Sequence, residues 1–142
     1  MFEVEVRNVA GEATSVGSAG PYTLVVDRPA EAGGRGLGFN GGQLLYLAVA
    51  GCVSNDLFRE ARAEGIELER VRIVVRGDFE GDPAVSAPIT VDIEVEGHAP
   101  AVRLDDLVAR DDEIAEIPNS LRRGPRSASA RSASSAIADA RT

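Results

Sequence analysis

A glycine-rich segment that leads directly into a long, unbroken apolar segment is the feature that most restricts how this sequence can fold. Residues 33–42 contain six glycines, too many for a helix or strand to form from them alone. Asn40 stands where a helix N-cap is expected, and Gln43 follows at the spacing of a capping box. From there to about Glu64 only Gly51 interrupts the helical pattern. The sequence therefore predicts one long helix, apolar all round in its first half and buried there on most sides.

Segments with a period of two lie on both sides of this helix. Residues 1–9 alternate apolar and charged side chains and predict a strand with one buried face, and residues 22–27 predict another strand. Residues 69–79 and 88–96 predict two more, with arginines on the outer face of the first and acids on that of the second. Antiparallel pairing would match these charges. The connection over residues 80–87 fits a hairpin and is too short for a crossover helix.

The remaining segments complete the predicted order of elements. Residues 102–115 predict a second, shorter helix, and residues 117–124 predict a turn-rich segment around Pro118. The fold class is therefore α+β, a mostly antiparallel sheet on a long buried central helix. Residues 125–142 are rich in Ser, Ala and Arg and have little to bury, so we expect a poorly ordered tail. Residues 1–124 are then the folded domain.

Charge and cysteine content restrict the compartment and the partners. The net charge is −8 and every basic residue is arginine, so the chain is expected to bind neither nucleic acid nor an anionic membrane. The longest apolar run, residues 44–53, is about half the length of roughly 20 residues that a membrane-spanning helix needs. The first residues lack a signal-peptide pattern. A single cysteine forms no internal disulfide, so we expect the protein in the reducing cytoplasm.

Three possible binding features are better explained without a ligand. Residues 36–41 match GxGxxG, but the preceding strand ends near Asp27 and no βαβ unit surrounds them, so a glycine loop is favoured over a dinucleotide site. His98, the sole histidine, has no histidine partner and is expected in a surface turn. We therefore expect no cofactor and no metal, although the sequence leaves a metal site made of acids alone open. Acidic residues on or near the second helix are expected to form a solvated face: Asp105, Asp106, Asp111, Asp112 and Glu113.

Cys52 is the most informative single residue. It lies in the apolar half of the long helix, about three turns from its start, where the helix dipole has little influence. Asp56, four residues later, would disfavour a thiolate. Chemistry alone therefore favours a structural cysteine over a reactive one.

Two segments nevertheless resemble the OsmC/Ohr family of thiol-dependent hydroperoxide reductases. The segment 38–52, GFNGGQLLYLAVAGC, is similar to the loop, central helix and peroxidatic cysteine of that family. The segment 115–121, AEIPNSL, is similar to the family's second-cysteine segment. The resemblance covers residues 1–124. It implies an intertwined homodimer with active sites at the subunit interface, where the cysteine attacks the O–O bond of an organic hydroperoxide and a second cysteine then forms a disulfide.

The sequence departs from this family at several functional positions. Of the family's functional residues, only the peroxidatic cysteine has a match here, at Cys52. The second-cysteine position is occupied by Ala115. The resemblance also implies a glutamate and an arginine that prepare the first cysteine and position the substrate. The position of that glutamate falls near Gly42 or Gln43, neither of which is acidic, and the early loop that carries the arginine, residues 10–20 here, has none. Three other arginines are candidates to replace the missing one in space: Arg7, Arg28 and Arg35.

Three hypotheses about function follow. The first is a one-cysteine peroxidase that reduces hydroperoxides slowly through Cys52 with an external thiol reductant. The second is a dimeric module without catalysis that binds a small apolar or acyl ligand at the subunit interface. The third is a diverged relative with a structural role only.

Overall fold

The structure of this protein is a computed structural model, which describes residues 1–124. The predicted tail, residues 125–142, lies outside the described residues. The described part is α+β and its strands pair antiparallel in three small sheets, so the predicted fold class is confirmed. The elements in chain order are β1 (Glu5–Asn8), β2 (Ser15–Ala19), β3 (Tyr22–Val26), α1 (Gly41–Ala63), β4 (Leu68–Arg76), β5 (Phe79–Glu80), β6 (Val85–Ser86), β7 (Thr90–Gly97), α2 (Ala101–Ile114) and α3 (Glu116–Arg123).

The long central helix α1 begins and ends at the residues that its sequence predicts. The Asn40 side chain accepts a hydrogen bond from the Gln43 backbone N–H at 2.9 Å. The Gln43 side chain in turn accepts one from the Asn40 N–H, also at 2.9 Å, which completes a capping box. Gly65 follows the helix with a φ of +66°, a left-handed conformation that glycine adopts without strain.

The second half of α1 packs on the hairpin of β4 and β7. Val53, Leu57 and Ala61 are buried there with Leu107 of α2. The charges on the outer face of the hairpin pair across the strands as predicted: Arg70 with Glu96, Arg72 with Glu94 and Arg76 with Asp92. This small core holds the middle of α1 against α2.

The glycine-rich segment folds back along β3, and its glycines serve backbone packing. Phe39 pairs with Val26 in a parallel bridge. A Cβ added to Gly38 would lie 2.2 Å from the Val25 carbonyl oxygen, so only glycine fits. The named strands around the segment are antiparallel, so a dinucleotide fold is absent from the described residues. The GxGxxG match is structural, as expected.

The predicted turn over residues 117–124 is wrong, because the structure has helix α3 there. Pro118 is the third residue of α3, in the first turn, where a backbone N–H has no partner within the helix. The proline is therefore compatible with the helix that it was expected to interrupt.

The predicted burial of the N-terminal strand and of the first half of α1 is also wrong for the single chain. Val6 is 58% exposed and Leu47 is 51% exposed. The β4–β7 hairpin, α2 and α3 pack on α1, but within residues 1–124 they leave part of its first half uncovered. Several apolar side chains on one face of the β1–β3 sheet are open to solvent for the same reason: Phe2, Val4, Val6, Tyr22 and Leu24.

The α-helices of the described chain are α1, α2 and α3. Within residues 1–124, none combines the length and the apolar character needed to cross a bilayer.

Candidate functional site

Cys52 lies on the side of α1 that meets the junction between α2 and α3. It is half-buried and packs against the core cluster that contains Ala115. Ala115, the residue at the second-cysteine position, is fully buried at this junction. The structure therefore brings together the two sequence segments that carry the family resemblance.

The first turn of α3 faces the Cys52 sulfur. The backbone N–H groups of Ile117 and Glu116 act on the thiol and lower its pKa. Because these N–H groups have no partner within their own helix, they carry the positive end of its dipole. A turn prediction for this segment could not reveal this contact. Pro118 stands where the first turn of a helix tolerates proline, and this was the sequence signal for α3.

Burial and a neighbouring acid oppose this effect. The Cys52 thiol donates a hydrogen bond to Oδ2 of Asp56 at 3.6 Å, and Asp56 is only 3% exposed. Burial, followed by the charge of Asp56 and this hydrogen bond, raises the pKa of Cys52 above its ordinary value of 9.0 despite the two N–H groups. At neutral pH the sulfur is therefore mostly a thiol that donates to Asp56.

The arginine connected to this site is Arg59, which sequence reasoning did not consider. Its guanidinium lies 2.6 Å from Oδ1 of Asp56 and 3.1 Å from Glu60.

Two of the expected arginines are engaged elsewhere in the described chain. Arg7 pairs with Glu5 at 2.8 Å, and Arg35 lies 3.7 Å from Glu12. Arg28 forms no ion pair among residues 1–124. The single chain therefore has no arginine in contact with Cys52 from these three positions.

Asp111 is an exception to the predicted solvated acidic face. Asp105, Asp106, Asp112 and Glu113 are exposed, as expected, whereas Asp111 is 0% exposed. Neither of its carboxylate oxygens has a hydrogen-bond partner in the described chain. Burial first, and then the charges of Asp56 and Asp112, raise its pKa to about 6.

The position of Asp111 on α2 explains its burial. Leu107, Asp111 and Ala115 follow one another at intervals of four residues, which places them on one side of the helix, and all three are buried. This side packs on α1 near Asp56 and Cys52. The spacing from Leu107 was a sequence signal for the burial of Asp111, but the polar residues around it concealed the signal.

His98 lies away from this cluster. It is exposed in the turn after β7, and its Nε2 is 2.8 Å from a carboxylate oxygen of Glu69. This agrees with the expected surface turn. In residues 1–124, the group of side chains with metal-ligand geometry is instead Cys52, Asp56 and Glu116.

Comparison with known proteins gives a family match and several structural matches. The sequence model of the family described as OsmC-like protein matches residues 33–129. A search of curated protein sequences found no match. An OsmC-like protein from Mycoplasma pneumoniae superposes with a TM-score of 0.74 at 14% identity, over 86% of this chain and 87% of that chain.

Two further solved structures are named as organic hydroperoxide resistance proteins. The one from Legionella pneumophila has a TM-score of 0.63 at 21% identity, over 86% of this chain and 89% of that chain. The one from Bacillus subtilis, OhrB, has a TM-score of 0.59 at 21% identity, over 86% of this chain and 90% of that chain. At such identities these structural matches establish a shared fold.

Proposed function

Since this chain belongs to the OsmC-like protein family, we propose that it reduces organic hydroperoxides slowly through Cys52 alone, with an external thiol as reductant. Structures of similar fold carry the name organic hydroperoxide resistance protein, which supports this reaction class. The second-cysteine position is Ala115, so an internal disulfide cannot form in this chain.

The observation that carries the proposal is the first turn of α3 facing the Cys52 sulfur. Backbone N–H groups at a helix start favour a thiolate, and the thiolate is the nucleophile in peroxide reduction. A cysteine that served only to fill space would need no such neighbours.

The proposed reaction has three balanced steps. The Cys52 thiolate attacks one oxygen of ROOH, the O–O bond breaks, and the products are the Cys52 sulfenic acid and, after protonation, the alcohol ROH. An external thiol then forms a mixed disulfide with Cys52 and releases water. A second external thiol displaces Cys52, which returns to the thiol form while the external thiols leave as a disulfide. Without a resolving cysteine, the sulfenic acid persists until the external thiol arrives.

The raised pKa of Cys52 makes the proposed peroxide reduction slow at neutral pH. Burial and Asp56 raise the pKa of Cys52, so a small fraction of the protein carries the thiolate near pH 7. The rate of peroxide reduction should therefore rise with pH through the neutral range.

The proposal includes a homodimer in the cytoplasm. Apolar side chains of the β1–β3 sheet and of α1 are exposed in the single chain, among them Val4, Tyr22 and Leu47. A second copy would cover such a surface. The partner would also be the source of any arginine that approaches Cys52 from outside this chain.

Mass spectrometry of the intact protein tests the proposal directly. Reduced protein is exposed to sub-stoichiometric cumene hydroperoxide in the presence of dimedone and a chelator. The chain has one cysteine, so any thiol adduct reports on Cys52, and Cys52→Ala is the control. We expect one dimedone adduct on the wild type and none on the variant. An unmodified Cys52 after excess peroxide would rule out a peroxidase.

A binding module without catalysis is the second candidate, favoured by a separate observation. An apolar cavity of about 270 Å³ lies between the β1–β3 sheet and the start of α1, lined among others by Val6, Leu24 and Leu44. A fluorescent fatty-acid analogue would bind there equally well in the wild type and in Cys52→Ala. That result, combined with an unreactive Cys52, would favour this function.

A further inference from the structure

Three potential metal ligands from two helices converge at Cys52. The sulfur of Cys52, a carboxylate oxygen of Asp56 and one of Glu116 all lie within 4.8 Å of one another. Cys52 and Asp56 are one turn apart on α1, and Glu116 is the first residue of α3. The three groups are therefore held by the packing of α3 against α1.

A third carboxylate, that of Asp111 on α2, lies buried in the same part of the core. Asp111 is fully buried, and both of its oxygens lack a hydrogen bond within the described chain. It shares the buried side of α2 with Leu107 and Ala115, which belong to the core cluster that Cys52 packs against. A buried carboxylate without a donor is expected to meet a cation or a metal ion.

Among residues 1–124, no arginine forms an ion pair with Asp111. Arg59 is paired through Oδ1 of Asp56 at 2.6 Å and is shared with Glu60 at 3.1 Å. Oδ2 of Asp56 faces Cys52 and remains available as a ligand. The cluster thus combines a thiol and several carboxylates with one partly exposed arginine.

We propose that Cys52, Asp56 and Glu116 bind a divalent transition-metal ion of the zinc type, with Asp111 beside them on the buried side. A thiolate ligand selects such ions over Mg²⁺ and Ca²⁺. Zn–S bonds of about 2.3 Å and Zn–O bonds of about 2.1 Å give a tetrahedral S···O edge of about 3.6 Å. The separation of the Cys52 sulfur and Asp56 Oδ2 is 3.6 Å. Glu116 is exposed and its side chain is free to close on the ion.

Binding replaces the thiol proton by the metal. Cys52 releases one proton and forms a metal–sulfur bond, and a fourth coordination position is left for water. A sulfur that is bound to the ion is less available to a peroxide. The ion would therefore protect Cys52 from peroxide. Binding of the ion does not itself depend on the peroxide reaction.

A titration of the reduced full-length protein with Co²⁺ tests this site, since Co²⁺ reports its ligands in the absorption spectrum. We expect one equivalent to bind with a thiolate-to-metal charge-transfer band in the near ultraviolet, and Zn²⁺ to displace it. The Cys52→Ala variant should lose the band. Glu116→Gln, which changes an exposed residue, and Asp111→Asn should each weaken binding about tenfold or more. Asp105→Asn, an exposed acid on α2, is the matched control and should bind as the wild type does.

Three outcomes would overturn the proposal. These are a titration without a thiolate band, equal affinity in Cys52→Ala, or equal affinity in both Glu116→Gln and Asp111→Asn. No peroxide is present in this titration, and the dimedone experiment contains a chelator. The two results therefore separate failure of the metal site from failure of the peroxidase.

Discussion

The thiol of Cys52 is under opposing influences from two helices of the chain, α1 and α3. Burial and Asp56 raise its pKa, whereas the N–H groups of Ile117 and Glu116 lower it. The acid is one turn away on the same helix, and the N–H groups belong to a helix much later in the sequence. The reactivity of Cys52 is therefore set by the balance between a local and a distant contact.

Removing the charge of Asp56 should shift this balance toward the thiolate. In Asp56→Asn the charge that opposes ionisation is lost, so the pKa of Cys52 should fall and alkylation by iodoacetamide at pH 7 should become several-fold faster. The measurement is the alkylation rate as a function of pH. Glu60→Gln is the control, because it removes another partner of Arg59 without changing the hydrogen bond to Cys52. If the pH midpoint of the alkylation rate is the same in Asp56→Asn as in the wild type, this account is contradicted.

Asp111 should make stability depend on pH in the acidic range. Its folded-state pKa of about 6 is above the ordinary 3.8, so the folded protein holds a proton that the unfolded chain releases first. The stabilisation is complete below about pH 4 and is lost as pH rises through about 6. A difference of this size corresponds to about 3 kcal/mol.

Asp111→Asn removes this titration. The variant should therefore be more stable than the wild type by about 2–3 kcal/mol above pH 6, and the advantage should vanish below about pH 4. Urea unfolding at a series of pH values measures it, with exposed Asp105→Asn as the control. An equal effect of both substitutions at pH 7 would show that burial of Asp111 is not the cause.

At the scale of elements, the loop before α1 is organised by one buried carboxylate. Asp27, at the end of β3, is 3% exposed. It accepts backbone N–H hydrogen bonds from Arg28 at 2.8 Å and from Arg35 and Leu37, both at 3.2 Å. The Thr14 hydroxyl donates to it at 3.1 Å. Burial alone would raise the pKa of Asp27, but these donors outweigh burial and hold the pKa below 3.8. The glycine-rich segment therefore enters α1 in a defined direction.

Asp27→Asn should loosen this loop and lower stability, because an amide has one acceptor oxygen and its N–H₂ would face either the N–H of Arg28 or those of Arg35 and Leu37. The depressed pKa means that the contribution of Asp27 is present above its ordinary value and lost as pH falls below it. The difference between variant and wild type should therefore be full at pH 7 and shrink below about pH 4. Urea unfolding measures it, and exposed Glu31→Gln is the control. A difference that persists unchanged at low pH would contradict the role of the charge.

At the scale of the whole molecule, the chain buries only part of its apolar surface. The core lies between α1, α2 and the β4–β7 hairpin, whereas the β1–β3 sheet presents an apolar face to solvent. The first half of α1 is likewise covered on one side only. This distribution fits a subunit of an assembly better than a monomer.

A charge placed on this surface should dissociate the proposed homodimer. Leu47→Glu adds a carboxylate to the exposed side of α1, where burial against a second copy would be costly. We expect the wild type to elute at the mass of a dimer in size-exclusion chromatography with light scattering, and the variant at that of a monomer. Val102→Glu, on an exposed apolar residue at the start of α2, is the control and should remain dimeric. A monomeric wild type at high concentration would refute the dimer.

Local patterns in the sequence were sufficient for most of the elements. The capping box of Asn40 and Gln43, the stop at Gly65 and the alternation in β4 and β7 are interactions between near neighbours or between strands joined by a short connection. They were therefore predictable, and the α+β class followed from them, whereas the family resemblance rested on the segments 38–52 and 115–121. The choice of Cys52 as the candidate site residue also came from the sequence, and it stays a prediction.

What surrounds Cys52 was decided by the tertiary structure. The approach of the first turn of α3, the burial of Asp111 and the link from Asp56 to Arg59 depend on how α1 packs against α2 and α3. Polarity alone suggested that Asp111 was solvated, and a proline alone suggested a turn at Pro118. Burial and helix ends are properties of packed elements, so residue types in sequence order could not determine them.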